Sequence, residues 1–481
     1  MTPLTGFAPD AEVTTPGLLT NCDNLIPYLN GMEGAPSPAT PANTPALAAA
    51  CIGAAVVSKL DDTRRIIAGT TTKLYELVAG AWTDVSRVGN YNGGVDTRWS
   101  ITQFGDATLC ANRADVIQRS TSGVFADVAT APKAEVIFTV GAFVMALNLN
   151  DGSEKPDGWA CSAAFDDTNW TPNIATQATA GRLVATAGRL TAGMRLGEYA
   201  VAYKARSIYL GQYVGAPTVW NWLQVPGGEA GCIGKEAICD IGGAHFFVGD
   251  DNFWIFDGTR PIPVADGTVR QWFFDNCSPQ YRYRTICSFD KQKNLVWVFF
   301  PSNSSSTPDS ALVFHVIAKK WGVANRAIEA ALNYVQQGVT IDGLSAYSAT
   351  IDGLAPYSFD SQFWLQGGRA MAVFDTSHQL QSMTGPAAAS SMTTGDVGDD
   401  YTVTTLNGIR LRYAQAPSAA SAQVFIQQNS GVGFAATGTG AVLDGKFDVR
   451  QTARWHKATF TFAGPVRITH MDAILTKAGM R

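Results

Sequence analysis

Charge is scarce in this chain. Asp, Glu, Lys and Arg make up 16% of its 481 residues, against about 25% in a typical soluble protein. Fewer charges mean less surface built for bulk water, which points to an exterior partly covered by partner subunits. The cationic residues that exist are not gathered. No run exceeds the pairs Arg64-Arg65 and Lys319-Lys320, and the net charge is −5. Tight, counterion-releasing contact with nucleic acid needs clustered Lys and Arg, so that class is disfavoured. A wall past which DNA slides would want only weak attraction and stays open.

Catalytic signatures are missing as well. The chain has no H-E-x-x-H, no G-x-S-x-G, no phosphate-cradling G-x-x-x-x-G-K-[ST] and no strand-to-helix G-x-G-x-x-G. Its five histidines (His245, His315, His378, His456, His470) are scattered, whereas zinc sites bring close pairs; they read as strand or surface residues. No C-x-x-C occurs among the eight cysteines, Cys22, Cys51, Cys110, Cys161, Cys232, Cys239, Cys277 and Cys287. They sit in apolar, strand-like stretches and read as buried free thiols of a protein made in a reducing cytoplasm. The amino-terminal MTPLTGFAPDAEVTTPG lacks the basic and apolar regions of a secretory signal. The longest apolar run, residues 46–57, is 12 residues and too short to span a bilayer. Catalytic, cofactor and metal sites are all expected to be none.

What the chain has is glycine and repetition. Gly supplies 47 residues, about a tenth against a usual ~7%, as many tight turns require. Residues 53–87 read GAAVVSKL, DDT, RRIIAGT, TT, KLYELV, AGA, WTDVSR. These are four short strands rich in β-branched and aromatic residues, joined by Asp, Thr and Gly turns. A meander of this length is one blade of a β-propeller. Its closing element, Trp82-Thr83-Asp84-Val85, is echoed by Phe125-Ala126-Asp127-Val128, Trp170-Thr171-Pro172 and Trp220-Asn221-Trp222. Those intervals are roughly 40–50 residues, the usual blade period. Looser echoes follow at Pro261-Ile262-Pro263-Val264 and Trp321-Gly322-Val323, which implies insertions in the later half. Paired strands recur in RRIIAGTTTKLYEL (64–77), ATLCANRADVIQRS (107–120), YAVAYKARSIYLGQ (199–212) and AHFFVGDDNFWIFDG (244–258). The expected fold is all-β: a β-propeller of four-stranded antiparallel blades over 46–384, with a smaller β domain at 401–481. A generic antiparallel protein without a closed ring is the competing reading.

The flanks differ in character. Residues 1–45 carry eight prolines and read as an extended arm that stays loose or threads along a neighbour. Residues 385–400 are low in complexity and read as a linker. Residues 401–481 resume alternation and read as a small sheet or sandwich, or as an outer addition to the propeller. Two copies of IDGL in 341–361 offer only Asp342 and Asp352, too few acids for a metal centre. Ser162-Ala163-Ala164-Phe165-Asp166-Asp167-Thr168-Asn169-Trp170 is similar to the Asp box of sialidase-type propellers, with its Gly replaced. That motif braces a hairpin, and glycoside hydrolysis would need a convergent pair of carboxylates.

Several stretches taken in order resemble the tail hub or nozzle proteins of short-tailed bacteriophages, also called packaged-DNA stabilization proteins. They are GFAPDAEVTTPG, AGTTTKLYEL…WTDVSR, WACSAAFDDTNWTP, GRLVATAGRLTAGMRLGEYAVAYKARSIYLGQYVGAPTVWNW, FWIFDGTRPIPV and the tandem IDGL segment. The similarity covers roughly residues 7–384, and 401–481 carry no motif of that family. The resemblance implies a homo-oligomer, usually a hexameric ring, below the portal and the adaptor (head-to-tail connector) of the virion tail. Double-stranded DNA would pass its lumen without sequence-specific binding, and tail spikes or fibres and a needle or plug would attach nearby. The ring would retain the packaged genome and open for ejection, with loops such as 341–361 as a gate. It would assemble in the host bacterial cytoplasm, with no direct membrane span. The alternatives are a glycan-binding or glycan-cleaving tail-associated propeller, which predicts an aromatic and acidic cleft, and a monomeric interaction propeller of the host cytoplasm.

Overall fold

The computed structural model describes residues 2–41, 44–150, 152–226, 229–337, 350, 366–429, 432–440 and 445–480. The tandem IDGL segment, with Asp342 and Asp352, lies outside them apart from Thr350. Strands dominate; the helical elements among the described residues are the helix Arg270–Asn276 and the 3-10 turn Arg282–Arg284.

The expected first blade forms as read, from Ala54–Ser58, Arg64–Gly69, Leu74–Val78 and Ala81–Asp84. Four-stranded antiparallel sheets follow over 100–127, 134–182, 190–224 and 238–263, and a further one begins at Ala330–Gln337. The meander Ile286–Asp290, Leu295–Phe300, Ser310–His315, Lys320–Ala324 has the same order but runs on into an eleven-stranded sheet. We number these meanders 1 to 7 along the chain. Their first strands neighbour one another around a closed circle, the first strand of meander 7 returning to Ala54–Ser58. The alternation that marks each strand as β thus also buries one face on the preceding blade and the other on the next.

The four paired-strand segments are the second and third strands of meanders 1, 2, 4 and 5. The closing element and four of its five echoes lie on or beside outermost strands; Trp170 falls instead in the loop before Thr179–Arg182. One repeat signal in the sequence is subtler. Gly105, Gly141 and Gly197 each turn the first strand into the second, at φ +55°, +55° and +58°, a left-handed conformation that glycine adopts without a Cβ penalty.

Residues 2–41 of the arm thread through their own chain. Leu18–Asp23 pairs with Ser390–Thr394 in the carboxy-terminal region. Leu25–Tyr28 pairs through Leu25 with Val323 at the edge of meander 6. Gly31–Gly34 pairs with Arg467–Met480, and Ser37–Ala39 supplies the outermost strand of meander 7. The ring is therefore closed by a strand from the start of the chain. Pro38 sits on that outer edge, where a missing N–H is tolerated.

The stretch 385–400, read as a linker, is not one. Ser390–Thr394 is an interior strand paired with Leu18–Asp23 on one side and Trp455–Ala463 on the other. Its small side chains hide it in the composition, yet Ser390, Met392 and Thr394 are buried in strict alternation. Two sheets then face each other as a sandwich. One contains Thr402–Gln415 and Arg467–Met480; the other contains Ser390–Thr394, Trp455–Ala463, Ala419–Gln427 and Ala435–Gly440. Leu406, Ile409, Leu411, Val424, Phe447, Phe460 and Ile468 fill the space between. The same core continues through Phe7, Leu25 and Met32 to Phe246, Phe314 and Trp321 of the propeller. Propeller and sandwich share one core, with the arm inside it.

Candidate functional site

The densest gathering of ionisable groups lies where the inner strands begin, at one end of the propeller axis. Each blade enters its inner strand from a loop, so seven loops converge there. Arg98, just before Ser100–Phe104, pairs through Nε with Glu236, just before Ile238–Asp240, across the axis. Arg98 Nη2 also donates to the carbonyl of Glu329, at the entry to meander 7, at 2.8 Å. Lys235 Nζ donates to the carbonyl of Arg98, and burial pushes its pKa down to about 8. Arg284 Nη2 meets Asp96 Oδ1 at 2.9 Å, and Tyr283 Oη donates to the same oxygen at 2.9 Å. Glu329 completes the set: it accepts from the amide of Cys51 at 2.8 Å and faces His378 Nδ1 at 2.7 Å.

These contacts link blades on opposite sides of the ring and close its axis. Between Asp96, Arg98, Glu135, Arg189, Lys235 and Arg284 remains a cavity of about 30 Å³, the room of about one water. Where the first strands of meanders 6, 7 and 1 end, the described residues leave a hollow of about 240 Å³, lined by Val56, Ser58, Tyr334 and Met371 with Arg64, Asp290, Lys291 and Arg369 around it. No duplex passes through the propeller's own centre, because Arg98 and Glu236 occupy it.

The chemistry available at the closed end is that of a brace. Carboxylates and cations are matched, and the hydroxyl held there by a carboxylate, Tyr283 Oη on Asp96, belongs to the same ion-pair cluster as Arg284. Among the described residues no group of three or more His, Cys, Asp or Glu side chains is placed to hold a metal ion. All eight cysteines are free and buried, and burial raises their pKa values, Cys51 and Cys232 to about 12 and Cys161 and Cys277 to about 11. His245 is a core residue: Tyr203 Oη lies 2.7 Å from its Nδ1, and its Nε2 lies 2.9 Å from the carbonyl of Arg195. Burial lowers its pKa, which fits a neutral ring donating from Nε2.

The Asp-box-like turn is likewise a brace. Asp166 Oδ1 accepts from the amide and hydroxyl of Thr168 at 2.9 and 2.6 Å. Trp170 Nε1 donates to the carbonyl of Asp167 at 2.9 Å, and Arg119 Nε lies 2.5 Å from Asp167 Oδ2. Sequence motifs missed the axial constellation entirely. Its members stand in several loops, and most of them, Asp96, Arg98, Lys235, Glu236, Arg284 and Glu329 among them, share a position just before a first strand.

No known protein-family model matches the chain, and no curated protein matches it. Solved structures similar to it include YCF48 bound to D1 peptide, with 11% identity and a TM-score of 0.37 over 74% of this chain and 97% of that one. The computationally designed Ika8 protein aligns with 8% identity and a TM-score of 0.34, covering 70% and 97%. PorZ of Porphyromonas gingivalis aligns with 9% identity and a TM-score of 0.37, covering 75% of this chain and 43% of its own. Similarity at this level carries no argument about partners or activity.

Proposed function

We propose that the chain is a structural subunit of a short-tailed phage tail, a nozzle or hub that forms a ring continuing the DNA channel below portal and adaptor. The observation that carries this reading is the fusion of two β modules into one body. The arm contributes strands to the sandwich, to the edge of meander 6 and to meander 7 within a shared core. Such a body resists bending, because relative motion of its parts would break ladders and expose core together. On this reading the DNA channel lies between subunits, because the axis of each propeller is closed by Arg98 and Glu236. The low charge content and the sequence resemblance support the same reading. The test is genome retention. Particles packaged without this chain are expected to lose DNA to added nuclease, and addition of the purified protein restores protection. Unchanged protection without the chain refutes the role.

A further inference from the structure

Sheet edges are templates for pairing with another chain, and proteins blunt them with short strands, charge, proline or a covering segment. Six of the seven outermost propeller strands are treated this way. Ala126–Asp127 is two residues long. Pro261–Pro263 and Ser37–Ala39 carry proline. Asp84 ends Ala81–Asp84 and pairs with Lys73, and Arg182 ends Thr179–Arg182 and pairs with Asp157. Lys320–Ala324 is covered by Leu25–Tyr28. The exception is Val219–Gln224, VWNWLQ, which is six residues long without charge or proline. Exposed Tyr213, Val214 and Leu223 stand on and beside it.

The sandwich repeats the pattern. Its outlying strands Gly6–Phe7, Lys446–Phe447 and Gln451–Ala453 have two or three residues. Ala435–Gly440, AATGTG, has six, again without charge or proline, and ends its sheet. Among the described residues nothing pairs with the outer side of either strand.

We propose that these two edges pair with each other between copies of this chain, Val219–Gln224 of one copy adding to Ala435–Gly440 of the next. This rests on the ring reading above and gives the ring its contact. The lengths match, and no charge opposes the approach. Large side chains on one strand meet Ala, Thr and Gly on the other, and glycine in a strand suits close approach of a second backbone. The two edges belong to different modules, on meander 4 and on the far side of the sandwich sheet. Each copy therefore offers one edge of each kind, a heterologous contact of the type that forms a ring when its rotation closes.

The hydrogen-bond phase selects the variant. The amide of Val225 bonds the carbonyl of Ile208, so with period two the amides of Trp222 and Gln224 face the free edge. Gln224→Pro removes an outward N–H, and Ala436→Lys places a charge within the other edge. Native mass spectrometry of the purified chain is expected to give multi-copy species for the wild type and monomers for each variant. An equimolar mixture of the two variants retains one intact edge of each kind and is expected to give a two-copy species and nothing larger. Near-ultraviolet circular dichroism identical to wild type verifies folding. Variants that stay multi-copy, or a mixture that stays monomeric, overturn this pairing and leave the ring reading standing. A wild-type chain that is monomeric alone and on its adaptor overturns both.

Discussion

Gly31 is the position at which one methyl group most directly tests the fusion of propeller and sandwich. It opens Gly31–Gly34, which pairs Met32 with Ile468 and Glu33 with Arg467. A Cβ at Gly31 would lie 2.0 Å from the carbonyl oxygen of Ile468 and 3.0 Å from Cα of Thr469, so backbone must move on one side or the other. Overpacking of this kind costs about 1–3 kcal/mol. The shift also strains the contact of buried Glu33 with Arg467 Nε, now 2.8 Å; with the guanidinium half-exposed to screening solvent, this adds at most about 1 kcal/mol. Gly31→Ala is therefore expected to cost about 1–4 kcal/mol. Calorimetry should show one cooperative transition for the wild type, because the modules share a core. The variant should show a lower midpoint or a sandwich transition that separates from the propeller's. Gly433→Ala, where an added Cβ meets nothing within 4 Å, is the control, expected within about 0.5 kcal/mol of wild type. A Gly31→Ala profile that superimposes on wild type would refute the welded-arm argument.

Other consequences follow from the axial brace and the thiols. Arg98→Ala strands Glu236 and the Glu329 carbonyl and should cost about 2–4 kcal/mol in urea unfolding; a double-mutant cycle with Glu236→Gln should give a coupling above about 1 kcal/mol, and additive effects would count against the cross-axis contact. Lys235 has a folded pKa of about 8 against an ordinary 10.5, so the folded state binds fewer protons between those values and stability rises with pH across that window. Lys235→Met should remove that rise, and an unchanged slope between pH 8 and 10.5 would contradict the assignment. Thiol titration should find no reactive cysteine in the native chain and eight after denaturation without reductant; fast-reacting native thiols would contradict their burial.

Legibility in the sequence followed from how local each signal is. The hairpins of meanders 1, 2, 4 and 5 were readable because alternation and turn residues lie within a few positions of one another. Trp82, Trp220 and Trp321 marked outermost strands because each blade closes with a large side chain over its neighbour. Trp170 broke the series because its ring is held by the carbonyl of Asp167 in a loop. The arm was harder. Leu18, Leu19, Leu25 and Ile26 show that part of it packs, but Leu19 pairs with Thr394 and Leu25 with Val323, each hundreds of residues away. Ser390–Thr394 was hidden because Ser, Thr and Met form a strand here only through ladders on both sides. Arg98 and Glu236 could not be joined from sequence, since only ring closure brings their loops face to face.

The claim that this chain is a ring-forming tail subunit is tested most directly by electron microscopy of the protein co-expressed with a short-tailed phage portal and adaptor. The account predicts a sixfold ring below the adaptor, with the open channel between subunits and each propeller axis closed. Single propellers that stay unattached, or a duplex-wide channel through the centre of one propeller, would contradict it.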